Sequence, residues 1–228
     1  MIQADSFASR YLERLLVFDQ EGALAEVRRA LDAGTSLRSL YLDGFEPVQH
    51  ELGRLWEQNL ITVAHEHYCT AITQLALAET YPRFVRPSHG APRMIVTCVP
   101  GELHELGGRM VADFFELEGW DATYLGEPAR LDDVLSALLE TGAMLLCISV
   151  TMTHNLPTAS ELISLVRAKF AVDAVKILIG GRAVAMGHKT WTQLGADGSA
   201  EHADQAIELG RRLCQPANAG TRPAPLAR

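Results

Sequence analysis

The sequence has no apolar run approaching the ~20 residues that a membrane-crossing helix needs. Its first residues, Met1-Ile2-Gln3-Ala4-Asp5-Ser6, have neither the basic start nor the apolar centre of a secretory signal. A cytoplasmic protein without a membrane partner is the expectation. Cysteine is sparse, and Cys69, Cys98, Cys147 and Cys214 form no C-x-x-C pair, which excludes a disulfide-rich scaffold. Cys98 and Cys147 sit inside apolar runs, where a thiol usually serves as a small buried hydrophobe. Basic clusters are missing too. The chain has 20 Lys and Arg against 28 Asp and Glu, a net charge of −8, and its basic doublets are Arg28-Arg29 and Arg211-Arg212. Phosphate neutralisation needs clustered cations, so direct nucleic-acid binding is not expected.

What is present begins with helical periodicity. Between Ser6 and Arg83, Phe7, Tyr11, Leu15 and Leu16 form one stripe, and Leu24, Val27 and Leu31 form another that Gly34 ends. Leu40, Leu42, Phe45, Val48, Leu52 and Leu55 continue the pattern to Trp56. A fourth helix starts at Thr62, a good N-cap, and runs through Tyr68, Ile72 and Leu75 toward Tyr81. Four helices with short connections predict an up-and-down bundle over residues 1–83.

Residues 84–92 concentrate proline and read as a linker. From 93 to 215 strands and helices alternate. Strands are expected at Met94–Val99, Ala122–Leu125, Met144–Val150 and Val175–Ile179, with a weaker fifth near Ala196–Ala200. Helices are expected at Glu105–Glu118, Leu131–Glu140, Ala159–Phe170 and Asp204–Leu213. Alternation of this kind predicts a five-stranded parallel sheet of the doubly wound, flavodoxin-like (Rossmann-type) class. Such sheets bind ligands beyond the carboxyl ends of their strands. The Pro- and Ala-rich stretch 216–228 reads as a flexible tail.

The chemistry concentrates in Gly101-Glu102-Leu103-His104-Glu105-Leu106-Gly107, just past the first strand. A histidine with a carboxylate two residues earlier can be an oriented metal ligand, one ring nitrogen held by the carboxylate and the other facing the metal. Gly107 removes a side chain where a bulky ligand would pass the start of the next helix. Ser149 and Thr151 at the third strand end and Gly180-Gly181 at the fourth add two hydroxyls and bare backbone on the same edge. Taken singly, His104 also suits a surface histidine at a helix start. Trp56, followed after nine residues by Glu66-His67, is a second motif. Singly, Trp56 also fits a half-buried helix-end aromatic, and Glu66 a carboxylate complementing a helix dipole.

Glu102-x-His104-x-x-Gly107, Ser149-x-Thr151 and Gly180-Gly181 together resemble the cobalamin-binding domain of methionine synthase, corrinoid proteins and B12 photoreceptors. The resemblance covers roughly residues 93 to 214, and the preceding bundle resembles that family's helical cap. It implies a base-off cobalamin with His104 as the lower cobalt ligand. The freed nucleotide tail would then lie in a slot at the serine, threonine and glycine positions, with Leu103 beside the ligand.

The pair Trp56 and Glu66-His67, together with glutamate at 102, is similar to the pattern of CarH-type light-sensing proteins. That implies adenosylcobalamin, with Trp56 over the corrin face, Glu66 accepting the ribose hydroxyls and His67 adding a polar edge. Photolysis would release the adenosyl group, shift the cap and change a homo-oligomer or the contact with a downstream signalling protein. Two departures stand. CarH-type proteins have histidine directly after the tryptophan, where this chain has Glu57, so His65, His67, water or a different photoproduct would replace it. No helix-turn-helix precedes the bundle, so the signal would leave through an oligomer, a partner or a domain beyond Arg228. The alternative is a non-enzymatic corrinoid carrier subunit of a methyltransferase system. A variant pairs cobalamin with a bilin, and the plainest possibility is a flavodoxin-like domain without a cofactor.

Overall fold

The computed structural model describes residues 2–84, 87–187 and 190–215. The expected tail at 216–228, and two residues of the expected linker, lie outside the described residues. The chain divides into two compact units, Met1–Arg86 and Pro87–Arg228.

The first unit is helical. Helix α1 (Phe7–Leu16) starts at Ser6, whose hydroxyl accepts the Ser9 N–H, and α2 (Gln20–Asp32) starts at Asp19. Helix α5 (Val63–Thr80) starts at Thr62, whose hydroxyl accepts the His65 N–H, as the sequence anticipates. The third helix is not uniform. A short α3 (Leu37–Ser39) passes into a π-helical stretch, Leu40–Phe45, before α4 (Glu46–Glu57). There the Glu46 N–H reaches back five residues to the Tyr41 carbonyl. Pro47 in the first turn of α4 has no N–H to continue the ordinary ladder, and a wider turn absorbs that loss.

Tyr11, Tyr41 and Phe45 are fully buried and pack edge to face, with ring centroids 5.5 and 5.6 Å apart. The two tyrosine hydroxyls need partners away from water, and α5 supplies them. Tyr11 donates to Thr73 Oγ1 at 3.1 Å, and the Tyr41 hydroxyl pairs with Thr80 Oγ1 at 3.0 Å. The sequence stripe erred at Leu75 and Tyr81, which are exposed. The buried set Cys69, Ile72, Thr73, Ala76, Leu77 and Thr80 turns Leu75 to the far side of α5, and Tyr81 lies past its end.

The second unit is a doubly wound sheet. In chain order it runs β1 (Arg93–Thr97), α6 (Leu106–Leu117), β2 (Asp121–Gly126), α7 (Leu131–Thr141) and β3 (Leu145–Ser149). Then follow α8 (Leu156–Lys169), β4 (Lys176–Gly180), the short α9 (Arg182–Ala185) and α10 (Trp191–Leu194), β5 (Gly198–Ala200) and α11 (Ala203–Cys214). All pairings are parallel, in the order β2-β1-β3-β4-β5, so the flavodoxin-like expectation holds.

The central strands are apolar on both faces because both are covered. Ile95, Leu146, Ile148, Ile177 and Ile179 pack with α7 and α8 residues, among them Val134, Leu138, Leu162 and Val166. On the other face α6 and α11 meet so closely that a Cβ at Gly210 would lie 2.9 Å from Leu145 and 3.0 Å from Phe115. Helix α8 begins three residues before the expected Ala159, since Pro157 is tolerated in a first turn. The short α9 and α10 carry too little periodicity to be read from sequence. Among the described residues no helix is long and apolar enough to cross a membrane.

Phe115 is fully buried and meets Trp120 edge-on at 5.1 Å. Phe115→Ala is expected to lower unfolding free energy by about 3–5 kcal/mol, read from urea unfolding followed by far-UV circular dichroism.

Candidate functional site

Strand order places a switch point between β1 and β3, where connections leave in opposite directions, and sheets of this class bind ligands at the carboxyl edge there. The chain leaves β1 through Cys98, whose N–H donates to the Gly126 carbonyl at 2.8 Å. Burial pushes the Cys98 thiol up to about 12, so it acts as the inert apolar group expected. Gly101 then turns with φ +87°, and the Glu102 N–H closes the turn on the Val99 carbonyl at 2.9 Å.

That turn sends Glu102 inward, where it has no exposed surface. Its carboxylate receives five donors. Oε1 accepts the His104 ring Nδ1–H at 2.6 Å and the His104 backbone N–H at 3.1 Å. Oε2 accepts the backbone N–H groups of Thr151 and Met152, both at 2.9 Å, and Asn155 Nδ2 at 3.0 Å. Burial alone would push this carboxyl up. The hydrogen bonds from His104, Met152 and Asn155 outweigh it and hold the group at about 2, against an ordinary 4.5. Glu102 is therefore a buried anion at neutral pH, and His104 is its partner with a basic ring among the described residues.

The His104 side chain is 47% exposed. With Nδ1 committed to Glu102, Nε2 is the ring nitrogen left to coordinate a metal, were one bound. The next residue, Glu105, occupies the N-cap position of α6. Within α6 two adjacent glycines have different reasons. A Cβ at Gly108 would touch Ser149, Tyr124 and Val96, so Gly108 lets the helix pack on the sheet. Among the described residues, a Cβ at Gly107 would meet nothing within 4 Å beyond its chain neighbours and its own helix backbone, so no packing among them demands that glycine. Leu103 is 78% exposed, an apolar side chain offered to the same edge.

Ser149 ends β3 opposite Gly180 of β4, and Thr151 touches Glu102 through its backbone N–H. The glycine pair, assigned to a ligand slot from sequence, is already required by the backbone. A Cβ at Gly180 would lie 2.8 Å from the Ala200 carbonyl. Gly181, at φ +94°, would place one 2.4 Å from the Val150 carbonyl. Glu102, His104, Ser149, Thr151, Gly180 and Gly181 thus share the carboxyl edge. Asn155 was missed. Standing just before Leu156-Pro157, it reads as a helix cap, yet it makes no capping bond and turns its amide to Glu102 instead.

In the helical unit, Trp56 lies in the last turn of α4 and is 37% exposed. Leu60, in the connection to α5, and Val63, the first residue of α5, are exposed as well. Glu66 accepts the Thr70 hydroxyl at 2.8 Å, and Thr70 also reaches Gln49, which donates to Thr73. Glu66 therefore ends a polar chain running from the Tyr11 hydroxyl. His67 is exposed, with Nε2 3.8 Å from Glu66 Oε2. His65, weighed from sequence as an upper cobalt ligand, stacks on Phe18 at 4.2 Å with its Nε2 buried. That packing disfavours the role.

Among the described residues, no three of His, Cys, Asp and Glu gather as a metal cage. One oriented imidazole suits a metal that arrives inside a macrocycle with its equatorial positions filled. The buried Glu102 anion, its hold on His104 and the open space at Gly107 fit a cobalt corrinoid.

Fold and site define a protein that presents a single carboxylate-held histidine at a sheet switch point. The chain belongs to the B12-binding domain family: one model of that domain matches residues 92–208 and a second matches residues 8–80. A corrinoid protein of Desulfitobacterium hafniense is 24% identical over 208 residues, covering 89% of this chain and 95% of that protein. The HTH-type transcriptional repressor CarA of Myxococcus xanthus is 27% identical over 222 residues, 95% of this chain and 72% of the repressor. The monomethylamine corrinoid protein of Methanosarcina barkeri shares the fold, with a TM-score of 0.79 at 21% identity over 91% of this chain and 98% of that one.

The depressed Glu102 carboxyl contributes stability that is present above pH 4.5 and lost as pH falls toward 2. Its size is about 3 kcal/mol by linkage. Urea unfolding at stepped pH should show this loss in the wild type and not in Glu102→Gln, which starts less stable because its amide faces donors.

Proposed function

We propose that this protein is a corrinoid carrier. It would hold cobalamin base-off, with His104 as the lower axial ligand, and offer the opposite cobalt face to a methyltransferase partner. The observation that carries this reading is the 2.6 Å bond between His104 Nδ1 and the buried Glu102 carboxylate. A bound cobalt corrinoid supplies the ability to accept and give up a methyl group. The chain's own residues do the holding. Glu102 selects the ring tautomer, raises its basicity and limits its rotation. Gly107 leaves room beside the helix start, while Ser149, Thr151 and the Gly180-Gly181 backbone line the edge assigned to the nucleotide tail. Residues 1–83 act as a cap, 84–92 as the linker and 93–215 as the corrinoid domain. On this reading the chain is not an enzyme by itself, and it works in the cytoplasm. The names of two similar proteins, both called corrinoid proteins, support a carrier.

A second reading, light sensing through adenosylcobalamin, rests on a specific observation. Trp56 and the Glu66-His67 pair stand on either side of the α4–α5 connection, and Leu60 within it and Val63 at the start of α5 are also exposed. The likeness to a transcriptional repressor across 95% of the chain supports a signalling role over a carrier role, without bearing on light. The exposed His67 is the imidazole better placed than His65 to meet a ligand, and a homo-oligomer or signalling partner would receive the output. A bilin as second chromophore is a variant of this reading.

Loading the full chain with hydroxocobalamin, methylcobalamin and adenosylcobalamin tests both. The base-off, histidine-ligated absorption spectrum is expected in the wild type. His104→Ala should lose it and bind at least roughly tenfold more weakly. Methyl transfer to or from the methylcobalamin form with an added corrinoid methyltransferase is the result expected of a carrier. An adenosylcobalamin form that changes spectrum and elution volume only under green light would favour the sensor. An unaltered spectrum in His104→Ala would overturn the shared ligand assignment.

A further inference from the structure

The loop after β1 is tied in two directions. Toward β3 runs the Glu102 network. Toward β2 run three bonds that Glu102 does not explain. The Gly101 N–H donates to Glu127 Oε1 at 2.5 Å, and the Glu127 N–H donates to Glu105 Oε1 at 2.6 Å. The Tyr124 hydroxyl donates to the Glu105 carbonyl at 2.8 Å. The two carboxylates thus exchange: each accepts a backbone N–H from the other's loop.

The backbone is shaped for this exchange. Gly126 stands at φ +68°, and a Cβ there would lie 2.5 Å from Glu105 Oε1. Gly101, the donor to Glu127, stands at φ +87°. Tyr124 is in turn covered by the Arg109 guanidinium, 5.8 Å from the ring centroid. Gly101 and Glu105 bracket the Glu102–His104 pair, and both are fixed to the end of β2. A loop pinned at Glu102 alone could pivot about that side chain; the ties at 101 and 105 remove the pivot.

We propose that Glu105 and Glu127 form a reciprocal clamp between the loops after β1 and β2, and that both are positioning residues that aim the His104 imidazole. The inference rests on the reading of His104 as cobalt ligand only for its effect on cofactor binding; the aiming of the ring is a property of the protein alone.

The test uses the full chain labelled with ¹⁵N, with the His104 ring signals identified by their loss in His104→Ala. In the wild type without cofactor, the ring is expected as a single tautomer protonated at Nδ1. Glu105→Ala and Glu127→Ala should each give averaged tautomers. Glu105→Gln, whose side-chain oxygen still accepts the Glu127 N–H, should keep the wild-type signals. In titrations with hydroxocobalamin, Glu105→Ala should bind roughly tenfold more weakly, with Glu105→Gln close to wild type. Far-UV circular dichroism checks folding, and Glu127→Ala decides if Glu105→Ala does not fold. A wild-type tautomer pattern in the folded alanine variants would overturn the clamp. Averaged tautomers in those variants, together with hydroxocobalamin binding indifferent to His104→Ala, would uphold the clamp and overturn the ligand assignment instead.

Discussion

A carboxylate taken fully out of water is tolerated only if its lone pairs are filled, because an unpaired buried charge costs several kcal/mol. At Glu102 that demand is met from two places far apart in sequence. One oxygen is satisfied by His104, the other by Thr151, Met152 and Asn155 in the loop after β3. Satisfying one anion therefore docks two loops against each other at the switch point. It also settles which ring nitrogen of His104 is engaged. How the fold accommodates a buried charge therefore bears directly on the orientation of the His104 ring.

The rest of the sheet unit serves that arrangement. Buried β1 and β3 bring the two loops side by side, and Gly108 lets α6 settle close to the sheet directly after His104. Gly180 and Gly181 allow β4 to pass close to Ala200 and Val150. These glycines are needed whether or not a ligand is bound, so their presence says less about a nucleotide slot than the motif suggests. Gly107 carries the opposite lesson: among the described residues, none beyond its chain neighbours and its own helix backbone stands where its side chain would be. The helical unit has its own logic, in which α5 receives the tyrosine hydroxyls of the bundle at Thr73 and Thr80 and ends the polar chain at Glu66.

Much of this was legible before any coordinates. Thr62 marks a helix start because a hydroxyl one position ahead of a helix accepts one of its orphan N–H groups. Alternating apolar strands and amphipathic helices imply a covered parallel sheet. The pattern Glu102-x-His104 is a local motif, and its two partners lie close enough in sequence to be paired by eye. The π-helical stretch at Leu40–Phe45 was not legible, since it follows from a hydrogen bond that Pro47 cannot make. Leu75 misled for another reason: apolar residues lie around more of α5 than the bundle covers.

By itself, then, the sequence determined the order of the longer elements, the sheet class and the histidine–glutamate pair. These depend on local spacing and periodicity, which a chain displays along its length. Only the tertiary structure decided that Asn155 and two backbone N–H groups complete the Glu102 anion. It also decided that Glu105 and Glu127 tie the same loop to β2, and that His65 is packed against Phe18. Those contacts join segments tens of residues apart, and no local pattern records which distant donor will fill a buried acceptor.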